Sequence, residues 1–210
     1  LRPHLHSLPE HPDWIPYRSS VYRPDWGFCL PHRLLSALVP GEYEVVIDST
    51  LSDGSLSYGE VILPGESTDE VLLSSHVCHP SLCNDNLSGI ALLSLLGRYL
   101  AGITHRFTYR LLFAPVTIGA ICWLARNESA LGRIRHGLVV TLVGDSGPIT
   151  YKRSRRGDAP IDRAFAHVLA QRAPHEIRDV EPLGYDERQF CSPGLDLPVA
   201  KDALGRHDGV

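Results

Sequence analysis

A chain of 210 residues is long enough for one sizeable core and a small appended unit. Its 43% hydrophobic and 21% charged residues are an ordinary globular composition, and a net charge of -4 excludes a general drive toward nucleic acid or anionic lipid. Eleven histidines favour metal or acid–base chemistry.

No methionine is present, and both ends read as cut, so a fragment or processed form is expected. The most apolar run, Leu111 to Ala125, is too short for a membrane span and is broken by Pro115 and Gly119. Five cysteines without framework spacing predict reduced thiols and a cytoplasmic setting.

Residues 1–66 are rich in Pro, Trp, Tyr and His. A short helix is expected at Leu34 to Leu38, then strands at Glu42 to Ile47 and Ser57 to Leu63. The turn signal Asp53-Gly54 would join these as a hairpin. This predicts a small β-rich unit, closed by Pro64-Gly65 and acting as a lid. From residue 67 to 210, strand and helix patterns alternate. Val71 to Ser75 predicts a buried strand and Asn86 to Leu100 an interior helix. Phe107 to Phe113 is the next strand, and Thr117 caps a helix to Asn127. Gly137 to Val143 is a third strand. Asp158 and Pro160 open a helix with Ile161, Phe165, Val168 and Leu169 on one face. Leu197 to Ala200 ends the series. The alternation predicts an α/β fold, a mainly parallel sheet with helices on both faces, which binds ligands at the carboxyl ends of its strands.

The chemistry concentrates in His76-Val77-Cys78-His79-Pro80-Ser81-Leu82-Cys83-Asn84-Asp85-Asn86. His76 ends the buried strand and Asp85 opens the interior helix, so both can face one crevice. Imidazole and carboxylate are zinc ligands, and a carboxylate can bridge two metals. The competing reading is a polar loop with backbone-bonded histidines. A structural zinc on His76, Cys78, His79 and Cys83 is disfavoured by their close packing in sequence. His79 suits a supporting or substrate-contacting role. Asp186 and Glu187 are adjacent carboxylates. Glu187 is the candidate general base, with a salt bridge as its structural alternative. The basic run Lys152, Arg153, Arg155 and Arg156 reads as a solvated strand edge ahead of an acidic-substrate site.

Val71-Leu72-Leu73-Ser74-Ser75-His76 followed by Asp85-Asn86-Leu87-Ser88-Gly89 resembles the zinc-aminopeptidase superfamily, which also includes glutaminyl cyclases and the transferrin receptor. Tyr185-Asp186-Glu187-Arg188-Gln189-Phe190 with Gly194 to Val199 is similar to a later segment of that superfamily. Within it, His79-Pro80-Ser81-Leu82, Tyr151 to Gly157 and Gly184 to Gln189 resemble a bacterial aminopeptidase-like family with a small inserted domain. Leu5 to Arg18 looks like part of that insert. The resemblance implies His76 as a metal ligand, Asp85 as a bridging ligand, and Asp186 and Glu187 near the metal. It implies a pair of zinc ions, as in the superfamily pattern, and a small peptide or amide substrate. No nucleic acid or membrane partner is expected, and a homo-oligomer is compatible.

Departures from that pattern are specific. The Glu-Glu pair expected after the second strand is replaced by Ala114-Pro115-Val116-Thr117-Ile118-Gly119. Thr141 stands near the place of a ligand Asp, with Asp145 slightly later, and His207 is a poor stand-in for the last ligand His. One zinc ion is therefore expected, with two as the alternative, and zinc-dependent amide hydrolysis is the leading reading. Acyl transfer or cyclisation on the same fold, and a noncatalytic domain, are the rivals.

Overall fold

The computed structural model describes residues 1–18, 24–50, 52–78, 83–171, 174–180 and 184–204, excluding the Leu204 side chain. The chain divides into two compact units, Leu1–Asp53 and Gly54–Val210.

In the first unit, β1 (Leu5–His6) and β2 (Phe28–Cys29) form a two-stranded parallel pair, and α1 (His32–Ser36) is a single short helix. The expected strand at Glu42 to Ile47 is absent, and these residues are largely exposed. Its alternation has no partner strand to pair with, so the Asp53-Gly54 hairpin does not form. The second expected strand does form, as β3 (Gly59–Leu63), but in the other unit. It pairs antiparallel with β5 (Thr108–Ala114), in a register matching Gly59 to Phe113 and Leu63 to Tyr109. The division thus falls near Asp53 rather than at residue 66.

The second unit is built on a seven-stranded sheet. The remaining strands are β4 (Glu70–His76), β6 (Ile134–Val140), β7 (Ile149–Lys152), β8 (His175–Arg178) and β9 (Val199–Leu204). The order is β3-β5-β4-β6-β9-β7-β8. Strands β5, β4, β6 and β9 run parallel to one another, whereas β3 and β7 are antiparallel to their neighbours β5 and β9. The mainly parallel α/β sheet is thus as expected, with antiparallel strands added towards both edges.

Alternation along β4 sends Leu72 to one face and Val71 and Leu73 to the other. Leu72 joins Leu112, Val139 and Val199 beneath α3 (Ile118–Arg126) and α5 (Asp186–Phe190), through Trp123, Leu124 and Phe190. Val71 and Leu73 join Leu111, Leu138 and Ala200 beneath α2 (Gly89–Leu100) and α4 (Pro160–Leu169), through Leu93, Leu100 and Leu169. Helices therefore cover both faces.

Two helix starts differ from expectation. Thr117 is the N-cap of α3 but makes no side-chain capping bond. The cap of α4 is Ala159, whose N–H donates to Asp162 Oδ2 at 2.9 Å. Buried Asp162 also accepts from Ser154 N–H, Ser154 Oγ and Tyr151 Oη, so an internal carboxylate replaces the expected Asp158 cap. Val168 is exposed, narrowing the predicted apolar face of α4. No described helix is long and apolar enough to cross a membrane.

At the opposite sheet end from the site, Glu70 and Arg110 are buried at 3% and 4% exposure. Arg110 Nε donates to Glu70 Oε2 at 2.6 Å, and Arg133 Nε donates to Glu70 Oε1 at 2.8 Å. Arg110 Nη1 and Trp123 Nε1 both donate to Glu60 Oε1 at 2.7 Å. The network ties β3, β4, β5 and α3 together. Burial opposes the Glu70 charge, but the bonds from Arg110 and Arg133 hold its carboxyl below the usual range.

Candidate functional site

The parallel strands end together, and His76 is the last residue of β4. By alternation His76 shares the face of Leu72, under α5, while Ser75 points toward α2. Residues Cys83–Ser88 form a kinked turn, with non-helical backbone at Asp85 and Asn86, that leads into α2. That turn returns Asp85 to the strand end, where Asp85 Oδ1 lies 2.8 Å from His76 Nε2. The His76 side chain is 4% exposed and that of Asp85 40%, so the pair has one buried and one open side.

The rest of Asp85-Asn86-Leu87-Ser88-Gly89 fixes this geometry. Asn86 Nδ2 donates to Ser75 Oγ at 2.9 Å and to the His76 carbonyl at 3.2 Å. Asn86 Oδ1 accepts from Leu142 N–H at 3.0 Å, just beyond β6, so one buried amide ties two strand ends. Leu142 holds φ 54, a conformation that a non-glycine residue adopts uncommonly. Ser88 Oγ donates to the Asn84 carbonyl and accepts from Val143 N–H. A Cβ on Gly89 would lie 2.6 Å from the Val140 carbonyl oxygen, so the close approach of α2 to the sheet requires glycine there.

Opposite His76 stands α5. The rings of His76 and Tyr185 stack with centroids 6.0 Å apart. Asp186 and Glu187 occupy its first turn, 1% and 2% exposed. They face two lysines. Lys201 of β9 and Lys152 of β7 are register partners on adjacent strands, a like-charge pairing that needs compensation. Lys152 Nζ lies 2.7 Å from Glu187 Oε1, and Glu187 Oε2 accepts from Tyr185 N–H at 3.2 Å. Lys201 Nζ sits 4.6 Å from the centre of the Tyr185 ring, a cation–π contact.

Among the described residues, neither carboxylate oxygen of Asp186 has a hydrogen-bond partner. Burial and the Glu187 charge push the Asp186 carboxyl up to about 7, against a smaller opposing pull from Lys201. Burial lowers the Lys201 ammonium, with Lys152 acting in the same direction and the nearby carboxylates opposing. The cluster balances with Asp186 protonated: the two ammonium groups then match Glu187 and Asp85. Burial, Asp85 and Asp186 all raise the Cys78 thiol, which disfavours a thiolate nucleophile.

The structure thus gathers His76, Asp85, Asp186 and Glu187 at one sheet edge. His79 and His207 lie outside the described residues. Asp145 is exposed and holds the loop, accepting from Asn84 Nδ2 and Gly147 N–H. Lys201 went unnoticed in the sequence, although a lysine inside the apolar run Leu197 to Ala203 was a readable signal. Lys152 was visible only as part of a basic run.

Imidazole nitrogen and carboxylate oxygen are zinc-binding donors, and His76 Nε2 and Asp85 Oδ1 are near enough to share one ion in place of the hydrogen bond between them. Among the described residues no group of three or more His, Cys, Asp or Glu side chains is arranged to hold an ion. These residues therefore offer two donors and not a complete site.

Residues 8–208 match the family described as domain of unknown function DUF4910. A Clostridium acetobutylicum protein is 50% identical over 200 residues, covering 95% of this chain and 46% of its own. Its name provisionally assigns it to polysaccharide biosynthesis and gives it an aminopeptidase-like domain. A crystal structure from Clostridium acetobutylicum, provisionally described as a peptidase, superposes with a TM-score of 0.96 at 46% identity, covering 100% of this chain and 50% of that one. The chain thus spans about half the length of these relatives. A zinc aminopeptidase from Bacillus subtilis shares the fold, with a TM-score of 0.57 at 16% identity over 70% of this chain and 39% of that one. The chain belongs to the DUF4910 family and carries an aminopeptidase-like fold.

Proposed function

We propose that the protein is a zinc-dependent hydrolase of peptide or other amide bonds, with His76 and Asp85 among its metal ligands and Asp186 as its proton carrier. The observation that carries this reading is the 2.8 Å contact between His76 Nε2 and Asp85 Oδ1 at the carboxyl end of β4. The zinc aminopeptidase sharing the fold supports it. When bound there, zinc polarises a carbonyl and lowers the pKa of its water toward ~7.

The chain's own groups supply the proton chemistry. Asp186, buried and without a hydrogen-bond partner among the described residues, exchanges its proton near neutrality. Glu187, the base expected from sequence, is engaged with Lys152 and with Tyr185 N–H. That geometry favours Glu187 as the group that orients Lys152 and leaves the proton to Asp186. Ionising Asp186 makes the cluster net negative, and the Lys201 ammonium, which pulls the Asp186 carboxyl down, offsets part of that cost. The Tyr185 phenol, raised by burial and then by Asp85 and Glu187, remains a hydrogen-bond donor.

One observation favours a second reading. The end of β5, Ala114 to Thr117, carries no carboxylate. Acyl transfer or cyclisation needs a polarised carbonyl but no activated water, and it suits that gap. The test is product analysis with the full-length protein and a panel of aminoacyl amides. Free acid and amine support hydrolysis, and a cyclised or transferred acyl product supports the second reading. A protein that turns over no amide and contains no zinc is a noncatalytic domain.

A further inference from the structure

Tyr185 is the N-cap of α5, and its N–H donates to Glu187 Oε2 at 3.2 Å. That bond closes the backbone over the first turn and fixes where the side chain leaves the helix. The ring then makes two contacts. It stacks on the His76 imidazole with centroids 6.0 Å apart and planes 22° from parallel. Lys201 Nζ sits 4.6 Å from its centre. A ring held by a backbone bond, an imidazole and an ammonium is pre-organised before any substrate arrives.

The phenol also reaches the open side of the site. Tyr185 is 48% exposed, whereas His76 is 3% exposed and Lys201 8%. Burial, then the Asp85 and Glu187 charges and the Cys78 thiol, raise the phenol and keep it a neutral donor. Its oxygen is therefore within electrostatic reach of Asp85, the half-open carboxylate that meets His76.

Amide hydrolysis needs a donor in this place. As the tetrahedral intermediate forms, charge moves onto the former carbonyl oxygen, and a fixed hydrogen bond there is worth more than one in water. The other donors at this edge are less suited. Lys152 is engaged by Glu187 at 2.7 Å, Lys201 is buried against the Tyr185 ring, and Thr141 is fully buried.

We infer that Tyr185 is a catalytic residue, whose hydroxyl donates a hydrogen bond to the oxyanion of the tetrahedral intermediate. The inference rests on the hydrolase reading. No proton leaves the phenol: the bond strengthens as the oxyanion forms and relaxes when the carbonyl is restored. Lys201 acts through the ring and is a positioning residue.

The experiment compares the full-length parent with Tyr185→Phe and Tyr185→Leu. Phenylalanine keeps the ring that stacks on His76 and faces Lys201, and loses only the hydroxyl. Leucine loses both. Zinc content and melting temperature are measured for each. Calorimetry then reads affinity for aminomethylphosphonate, a tetrahedral anion, and for glycine, its planar counterpart. Tyr185→Phe should match the parent in zinc content and melting temperature. It should bind aminomethylphosphonate about tenfold more weakly, and glycine within about twofold of the parent. On any aminoacyl amide that the parent hydrolyses, it should lower kcat by about 10²–10³ with little change in KM. The inference is overturned if Tyr185→Phe binds the phosphonate as well as the parent, if it loses affinity for phosphonate and glycine equally, or if the parent binds no phosphonate. A loss in Tyr185→Leu without one in Tyr185→Phe assigns the residue to packing and also overturns it. Failure of the hydrolase reading shows separately, as a parent that turns over no amide.

Discussion

Lys152 Nζ lies 2.7 Å from Glu187 Oε1, joining the end of β7 to the first turn of α5. This contact separates the roles of two neighbouring carboxylates. Glu187 is paired, while Asp186 has no hydrogen-bond partner among the described residues.

Substitution should reveal that separation. Asp186→Asn should lower kcat by about 10²–10⁴, because the amide preserves shape but cannot carry the proton. Its zinc content should match the parent. Glu187→Gln removes a buried carboxylate partner of Lys152, so it should lower the melting temperature and reduce turnover much less. If Glu187→Gln abolishes turnover while Asp186→Asn keeps it, the two roles are reversed.

Asp186 also predicts how stability responds to pH. Its folded value, about 7, lies above the ordinary 3.8, so the folded state holds this proton more tightly than the unfolded chain. The contribution is fully present below about pH 4 and is lost as pH rises through about 7. Asp202, pushed up to about 6 mainly by burial, adds a loss of the same sign that ends earlier. Denaturant melts of the parent at a series of pH values should therefore show this decline, and Asp186→Asn should flatten it. An Asp186→Asn profile that runs parallel to the parent contradicts the assignment.

The buried network at the other end of the sheet should dominate stability. Glu70→Ala leaves Arg110 buried with, among the described residues, Glu60 as its remaining carboxylate partner, and breaking such a pair costs about 3–5 kcal/mol. Glu70 itself has a depressed pKa, so its contribution is present above about pH 4.5 and is lost in acid. Urea unfolding at pH 7 measures the first effect. A loss under ~1 kcal/mol would show that the network is replaceable.

Gly89→Ala should disturb the site through packing. Its Cβ would meet the Val140 carbonyl oxygen at 2.6 Å, Asn86 Oδ1 at 2.7 Å and Ser75 Oγ at 2.8 Å. Overpacking of this kind costs about 1–3 kcal/mol. Because Asn86 spaces the Asp85 turn from β4, zinc affinity should fall along with stability. Stability loss with unchanged zinc binding would show that the turn is anchored independently of α2.

Much of this was legible because the signals are local. An apolar run ending in His76, and an Asp-Asn-Leu-Ser-Gly segment before an interior helix, place two side chains at one sheet edge without further information. The Lys152–Lys201 register was not legible, because it depends on β7 joining β9 antiparallel across nearly fifty residues. β3 was assigned to the wrong neighbour for a similar reason, since its partner β5 lies far along the chain while the turn signal at Asp53-Gly54 is local. The separation of Asp186 from Glu187 was invisible too. Adjacent carboxylates look alike in sequence, and only the fold decides which one meets a lysine.

The central claim is that His76 and Asp85 hold a zinc ion that activity requires. Elemental analysis of the purified full-length protein beside Asp85→Ala, with hydrolysis of aminoacyl amides by both, tests it most directly. The account predicts about one zinc per chain and measurable turnover in the parent, with both lost in Asp85→Ala while the variant stays folded. Zinc retained at parent level in folded Asp85→Ala, or a parent that hydrolyses amides without any bound metal, would contradict it.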